Sequence, residues 1–474
     1  MTSIDRSFID NTWRDSIVPA LHDYIRIPNK SPHFDADWSR HGHMRDAVRL
    51  IDRWCATSGV AGLAHEIVEL DGRTPVLFCE IVGSSRDAPT VLLYGHYDKQ
   101  PEFTGWLPGL SPWQPVERNG RLYGRGGADD GYAAFASLTA IAALQRAKLP
   151  HARCVVLIEG CEESGSFDLP AYLDHLAPRI GTPELVVCLD AEAGDYQHLW
   201  LSTSLRGLLL GTLRVDVLTQ GVHSGAASGI VPSSFRLLRQ LIERIEDSRT
   251  GALLPALYVD VPAAARSEAT ATAASLGNLI VERYPWTGTT RPPTADLAEL
   301  VLNNTWRPTL SVTGLSGAPE VGNAGNTLRP YTAARLSIRL PPTLDASAAA
   351  AEVQRVLEAD PPQGAAVRFE SDGGQQGWAA PATAPWLADA FERAAARHFA
   401  ARVGAGARYM GMGGTIPFLK MLGDRYPGAQ YMVTGVLGPE SNAHGPNEFL
   451  DLATARSVTA CVAEVLAAHG ARRR

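Results

Sequence analysis

The chain has no long run of lysine or arginine. Its one basic cluster is the tip Arg472, Arg473 and Arg474, and the formal net charge is -7. An extended nucleic-acid surface therefore has little support, and the tip reads as a solvated end, so no nucleic-acid partner is expected. No apolar stretch is long and uncharged enough to span a bilayer, and Met1 to Arg14 mixes acidic and basic residues without the apolar centre of a secretory leader. The expectation is a cytoplasmic protein with no membrane partner. Cysteine is sparse: Cys55, Cys79, Cys154, Cys161, Cys188 and Cys461 are dispersed, form no C-x-x-C pair and lie mostly in apolar runs. That pattern suits buried thiols in a reducing compartment better than disulfides or metal ligands. Repeats of the solenoid or propeller type are absent. What remains is ordinary globular composition, 45% hydrophobic and 20% charged, which excludes a disordered or fibrous chain. At 474 residues it exceeds a usual single core, so two or more domains are expected.

Short β-branched runs alternate with helical patterns in the first half. Val91 to Tyr94, Cys154 to Ile158 and Glu184 to Leu189 read as strands, Asp130 to Lys148 and Pro170 to Leu176 as helices. This alternation predicts an α/β unit with a mainly parallel sheet covered by helices on both faces. From about Gly207 the style changes. A long alternating strand through Leu213, Val215 and Val217 precedes a helix at Phe235 to Ile245, strands at Leu310 to Val312 and Ala334 to Leu340, a helix at Ala346 to Leu357 and a strand at Ala366 to Glu370. That set predicts an inserted α+β domain. The α/β style resumes with a helix at Pro385 to Phe399 and a strand at Gln430 to Val433. The expected division is a catalytic domain in two segments, 1–206 and 373–474, around an insert at 207–372. Ala263 to Pro308 has no clear pattern, and its Trp286 and Trp306 look exposed.

Polar residues recur where the strands end, the edge at which open α/β sheets bind ligands. Val91-Leu92-Leu93-Tyr94 runs into His96 and Asp98; Val155-Val156-Leu157-Ile158 into Glu159, Glu162 and Glu163; Leu185 to Leu189 into Asp190. Gln430 to Val433 leads through a glycine-rich loop to His444, and Gly124 to Asp130 delivers Asp129 and Asp130 ahead of a helix. Two histidines and several carboxylates on one edge match the ligand set of zinc or manganese, and such carboxylates are costly together unless a cation neutralises them. A shared carboxylate can bridge two ions. Asp98, two residues from His96 on an extended segment, can orient the imidazole. The neighbours Glu162 and Glu163 should point apart, one to a metal and the other to a water.

Several segments together resemble metallopeptidase family 20, which includes carnosinase-like and bacterial dipeptidases, glutamate carboxypeptidases, aminoacylases and deacylases. They are Tyr94 to Pro101, Tyr123 to Asp130, Glu159 to Ser166, Leu205 to Gly207, Val222 to Gly225 and Ala443 to Glu448, in family order over nearly the whole chain. The resemblance implies that Asp129 bridges two divalent ions, with His96 and Asp190 completing one site and Glu163 and His444 the other. Zinc is the first expectation for the ions, manganese or cobalt the alternatives. Asp190 in place of glutamate looks more like the dipeptidase branch. The resemblance further implies Glu162 as general base and His223 as an oxyanion-stabilising residue that reaches the active site of a partner subunit, hence a homodimer through the inserted domain; Asp98, through the imidazole it orients, is counted among the catalytic residues. Thr327 and Arg339 match substrate-binding positions, Arg339 holding a carboxylate. Gly414 and Thr415 lie in Gly411 to Pro417, which resembles a Gly-Gly-Ser-Ile-Pro element whose backbone amides suit an anion.

Two departures stand out. The family's Asp-Asp-Lys-Gly reads Asp129-Asp130-Gly131-Tyr132, with Tyr132 and Lys99 as the candidates to compensate, and Glu192 offers a rival carboxylate beside Asp190. The implied function is hydrolysis of amide bonds in dipeptides or small peptides with a free C-terminal carboxylate, by a fold of the zinc-exopeptidase type whose inserted domain serves as lid and dimerisation unit. The alternatives are an N-acyl-amino-acid amidohydrolase, a metal-dependent phosphoesterase and a non-catalytic metal-binding module.

Overall fold

The computed structural model describes residues 4–85, 88–399 and 406–472. Met1 to Ser3, the first residues of the N-terminal stretch, and the basic tip residues Arg473 and Arg474 lie outside the described residues. A six-stranded sheet runs in the order Leu63–Val68, Val76–Ile81, Arg153–Glu159, Thr90–His96, Pro183–Cys188, Gln430–Val433. The last four strands are mutually parallel, and the first two join antiparallel. Residues of the parallel strands alternate between two cores, because successive side chains leave a strand on opposite faces. Val91, Leu93, Cys154, Val156, Leu185 and Val187 pack with the helices Ala133–Arg146 and Leu452–Ala471. Leu92, Tyr94, Val155, Leu157, Val186 and Cys188 pack on the other side with Leu169, Tyr172, Phe418 and Leu422. A sheet buried on both faces needs apolar residues at every position, which is why these strands appear in the sequence as unbroken apolar runs.

A second, four-stranded antiparallel sheet has the order Thr309–Ser316, Tyr331–Leu340, Gly207–Asp216, Ala366–Gln375. Gly207–Asp216 alternates buried and half-buried residues along its length. Its inward Leu209, Leu213 and Val215 meet the helices Ser234–Ile242 and Ala346–Glu358 in a separate core. This is the α+β pattern, one face packed and the other open. The Ala366–Gln375 strand continues past residue 372.

The stretch without a clear pattern folds into helices, including Ala263–Leu276 and Leu297–Thr305. It rests on the three-stranded sheet of Leu199–Leu205, Ala407–Met412 and Trp378–Ala379, where Thr272 Oγ1 donates to Tyr409 O at 2.9 Å and Thr203 Oγ1 to Glu268 at 2.6 Å. The expectation of two exposed tryptophans is corrected here. Trp286 is exposed, but Trp306 is buried with Val301, Leu302, Ala265 and Ala269. The indole packs on the small Ala265 and Ala269 of one helix and on Val301 and Leu302 of the next, a tertiary effect with no local sequence mark.

Candidate active site

The carboxyl ends of the parallel strands converge. Register pairs His96 with Glu159 across adjacent strands, and the next strand on the other side leads to Asp190. Asp129 lies in the loop Gly127–Gly131, before the helix Ala133–Arg146, and its peptide bond to Asp130 is cis. Glu162 and Glu163 begin a single turn, Glu162–Ser164.

Asp129 presents its two oxygens to two histidines. Oδ1 lies 3.3 Å from His96 Nε2, and Oδ2 lies 3.1 Å from His444 Nε2. Each imidazole has a second carboxylate, Asp190 Oδ1 at 3.8 Å from His96 and Glu163 Oε2 at 3.2 Å from His444. Donor atoms of His96, Glu162 and Asp190 lie within 4.8 Å of one another, as do those of His96, Asp129 and Glu163. Glu192 joins neither group, so the carboxylate beside His96 is that of Asp190.

The electrostatics of this cluster fit cations. Burial, then the negative charge of Asp190, pushes the Glu162 carboxyl well above its ordinary value. Burial and Asp130 act alike on Asp190, against the opposing pull of His96. Burial raises Glu163 too, with Asp129 adding to it. At Asp129 burial is outweighed by hydrogen bonds from His444 and His96, which hold it ionised. Burial opposes the charge on His96, but its bonds to Asp129 and Asp98 raise its pKa well above 6.5. Two imidazoles are thus asked to neutralise a larger number of carboxylates. Imidazole nitrogens and carboxylate oxygens are the donors that zinc and manganese take, and divalent charge would relieve the repulsion.

Asp98 acts more broadly than expected. Its backbone carbonyl lies 3.1 Å from His96 Nδ1, nearer than its carboxylate at 3.4 Å. The carboxylate instead accepts the backbone N–H of Glu162 at 3.1 Å and of Glu163 at 3.0 Å. One residue therefore sets the imidazole and aims both glutamates.

Lys99 turns away from the cluster. Its ammonium donates to Tyr24 O and Ile27 O at 2.8 Å and lies 3.9 Å from the centre of the Tyr24 ring. Tyr132 donates to Leu189 O at 2.5 Å, steadying the residue before Asp190. A Cβ at Gly131 would stand 2.2 Å from the Tyr24 ring, so no lysine fits where the family pattern has one.

Arg339 and Thr415 come together, with Arg339 Nη1 donating to Thr415 Oγ1 at 3.2 Å. Thr415 Oγ1 in turn donates to Arg206 O at 2.5 Å. Gly414 beside it faces open space. His223 and Thr327 pair with each other in a two-stranded ribbon, both exposed. No hydrogen bond or ion pair among the described residues links either to the cluster.

Three supporting residues had no separate role in the sequence reading. Gln100 Nε2 donates to Glu163 Oε2 at 2.6 Å. Arg125 and Glu448 form a buried ion pair at 2.5 Å, and Glu448 also accepts Gly126 N while Arg125 donates to Gly445 O. This pair ties the Asp129 loop to the His444 loop, where His444 holds φ at 64°, a conformation uncommon outside glycine. Arg125 and Glu448 both lie inside the segments that carry the family resemblance, which was the available signal.

The sequence profile described as Peptidase family M20/M25/M40 matches residues 92–468. A cysteinylglycine-S-conjugate dipeptidase of Corynebacterium striatum is 28% identical over 432 residues, 90% of this chain and 90% of that protein. The beta-Ala-His dipeptidase of Homo sapiens is 28% identical over 367 residues, 73% of this chain and 69% of the relative. The crystal structure of human carnosine dipeptidase 1 matches with a TM-score of 0.77 at 21% identity, covering 98% of both chains, a likeness of fold.

Proposed function

The chain belongs to peptidase family M20/M25/M40, and from that premise we propose that it is a two-metal dipeptidase acting on dipeptides with a free C-terminal carboxylate. The observation that carries this reading is Asp129, which offers one oxygen to each of two histidines that are each backed by a further carboxylate. His96, Asp129 and Asp190 would hold one cation, Asp129, Glu163 and His444 the other, with zinc the first choice and manganese or cobalt the alternatives. Divalent cations, when bound there, supply Lewis acidity that polarises the scissile carbonyl and acidifies water.

The chain's own groups do the rest. Glu162, held by the carboxylate of Asp98 through its backbone N–H, takes the proton of the attacking water and returns it to the leaving amine. Arg339, steadied by Thr415, grips the C-terminal carboxylate. His223, exposed beside Thr327, is available to a second subunit and stabilises the oxyanion there, a contribution typically worth ~3–4 kcal/mol per donor. The exposed edge strand Thr309–Ser316, with Val312 and Leu315 outward, supports a homodimer through residues 207–372 acting as lid and dimerisation domain. Free, buried cysteines support a reducing, cytoplasmic location. Among the described residues no helix is long and apolar enough to cross a membrane.

The test is hydrolysis of a panel of dipeptides, their C-terminal amides and N-acyl amino acids by zinc- or manganese-loaded protein, alongside Glu162→Gln. We expect free dipeptides to be cut best and kcat in the variant to fall on the order of 10²- to 10⁴-fold at unchanged metal content. Full activity in Glu162→Gln removes the base assignment. Preference for N-acyl amino acids turns the reading to an aminoacylase, and equal cleavage of the amides ends the carboxylate clamp.

A further inference from the structure

The chain does not leave the sheet at Asp190. Pairing with Gln430–Val433 sets Leu185 opposite Gln430 and Cys188 opposite Val433, and a bridge from Glu192 to Leu437 keeps the same offset. Between them Ala191 lies so tight on Gly435 that a Cβ there would come within 2.0 Å of Ala191 O. The backbone thus stays extended, and side chains two apart share a face. Glu192 stands on the same side as Asp190, one repeat, roughly 6.5–7 Å, further out.

Two guanidiniums are joined through one threonine. Thr415 takes the hydrogen bond of Arg339 and gives its own to the carbonyl of Arg206. Arg206 is buried and directs Nε to Gly413 O at 3.2 Å and Nη1 to Arg307 O at 3.3 Å and Thr309 Oγ1 at 3.1 Å, all neutral acceptors. Glu192 is the carboxylate whose charge acts on both guanidiniums. It touches neither within ion-pair distance among the described residues, and it is only half-buried. Glu192 is thus a half-buried carboxylate one repeat beyond Asp190, with no ion-pair partner within bonding distance among the described residues.

On the dipeptidase reading, the scissile carbonyl sits at the Asp190 end and the C-terminal carboxylate at Arg339. The part of the substrate between these points is its C-terminal residue. We propose that Glu192 determines specificity by facing the side chain of that residue, favouring dipeptides with a basic C-terminal side chain and disfavouring acidic ones. The substrate's carboxylate is matched by Arg339, while an ammonium or guanidinium in its side chain matches Glu192. An acidic side chain would instead meet a like charge.

The test is kcat/KM for Ala-Lys, Ala-Ala and Ala-Glu with metal-loaded wild type, Glu192→Gln and Glu192→Lys, with metal content measured in each. We expect wild type to rank Ala-Lys above Ala-Ala above Ala-Glu. The Ala-Lys to Ala-Glu ratio should fall on the order of five- to tenfold in Glu192→Gln, the scale of one partly solvated charge pair, and should invert in Glu192→Lys. An unchanged ratio, or an equal loss on all three substrates, overturns the specificity role while leaving the dipeptidase reading in place. Failure of wild type to cut any of the three removes the dipeptidase reading and this proposal with it.

Discussion

Glu159 lies buried beneath the cluster, bonded to the Tyr94 hydroxyl and to Ser166 Oγ at 2.9 Å. Burial, only partly offset by the Tyr94 bond, pushes its pKa up to about 7, above the 4.5 of an ordinary glutamate. A carboxyl with a raised folded pKa stabilises the fold fully below pH 4.5, and that contribution is lost as pH rises through about 7. Each unit is worth about 1.4 kcal/mol, so a few kcal/mol are at stake. Metal-free Glu159→Gln should therefore gain stability relative to wild type between pH 5 and pH 8, read as the difference in Tm at each pH. A difference that stays constant across that range would show that Glu159 does not titrate there. The carboxylate-rich strand ends were legible as a group rather than residue by residue, because acidic and imidazole side chains have few other reasons to gather on one edge. The Glu448 clamp and the displaced Lys99 were not, since a buried polar group reveals its partner only when distant loops meet.

Among the elements, the parallel strands carry the site and must stay in register. Gly435 follows Gln430–Val433 at a point where any Cβ would meet the backbone of Ala191, next to Asp190. Neither backbone can yield cheaply, so Gly435→Ala should cost about 1–3 kcal/mol of stability. It should also weaken metal binding, because the shift is passed to Asp190. Thermal unfolding with and without metal measures both effects, and a variant with wild-type Tm and metal affinity would show that the strands tolerate the wider spacing. Strand positions were readable because burial on both faces demands apolar runs. The helices of 263–305 were not, since they cover the neighbouring Ala407–Met412 strand with alanines that carry no strong periodic signal.

For the whole molecule, the Thr309–Ser316 strand leaves one edge of the four-stranded sheet open, with Leu315 65% exposed. An open apolar edge favours pairing with a second copy. Wild type should sediment as a dimer, and Leu315→Lys should shift it to a monomer that keeps its metals but loses activity, since His223 then has no partner site to serve. A fully active monomer would end the reading of a shared active site. The sequence alone determined the α/β core, the strand-end cluster and the family, because those depend on local apolar periodicity and on reactive residues at short, ordered spacings. Only the tertiary structure decided which atoms face which: two histidines on separate oxygens of Asp129, Asp98 turned to the Glu162 and Glu163 amides, and Arg339 joined through Thr415 to Arg206. Those relations join separate segments of the chain, Asp129 and His444 being far apart in sequence, and they are fixed by sheet register and loop packing, which no local pattern encodes.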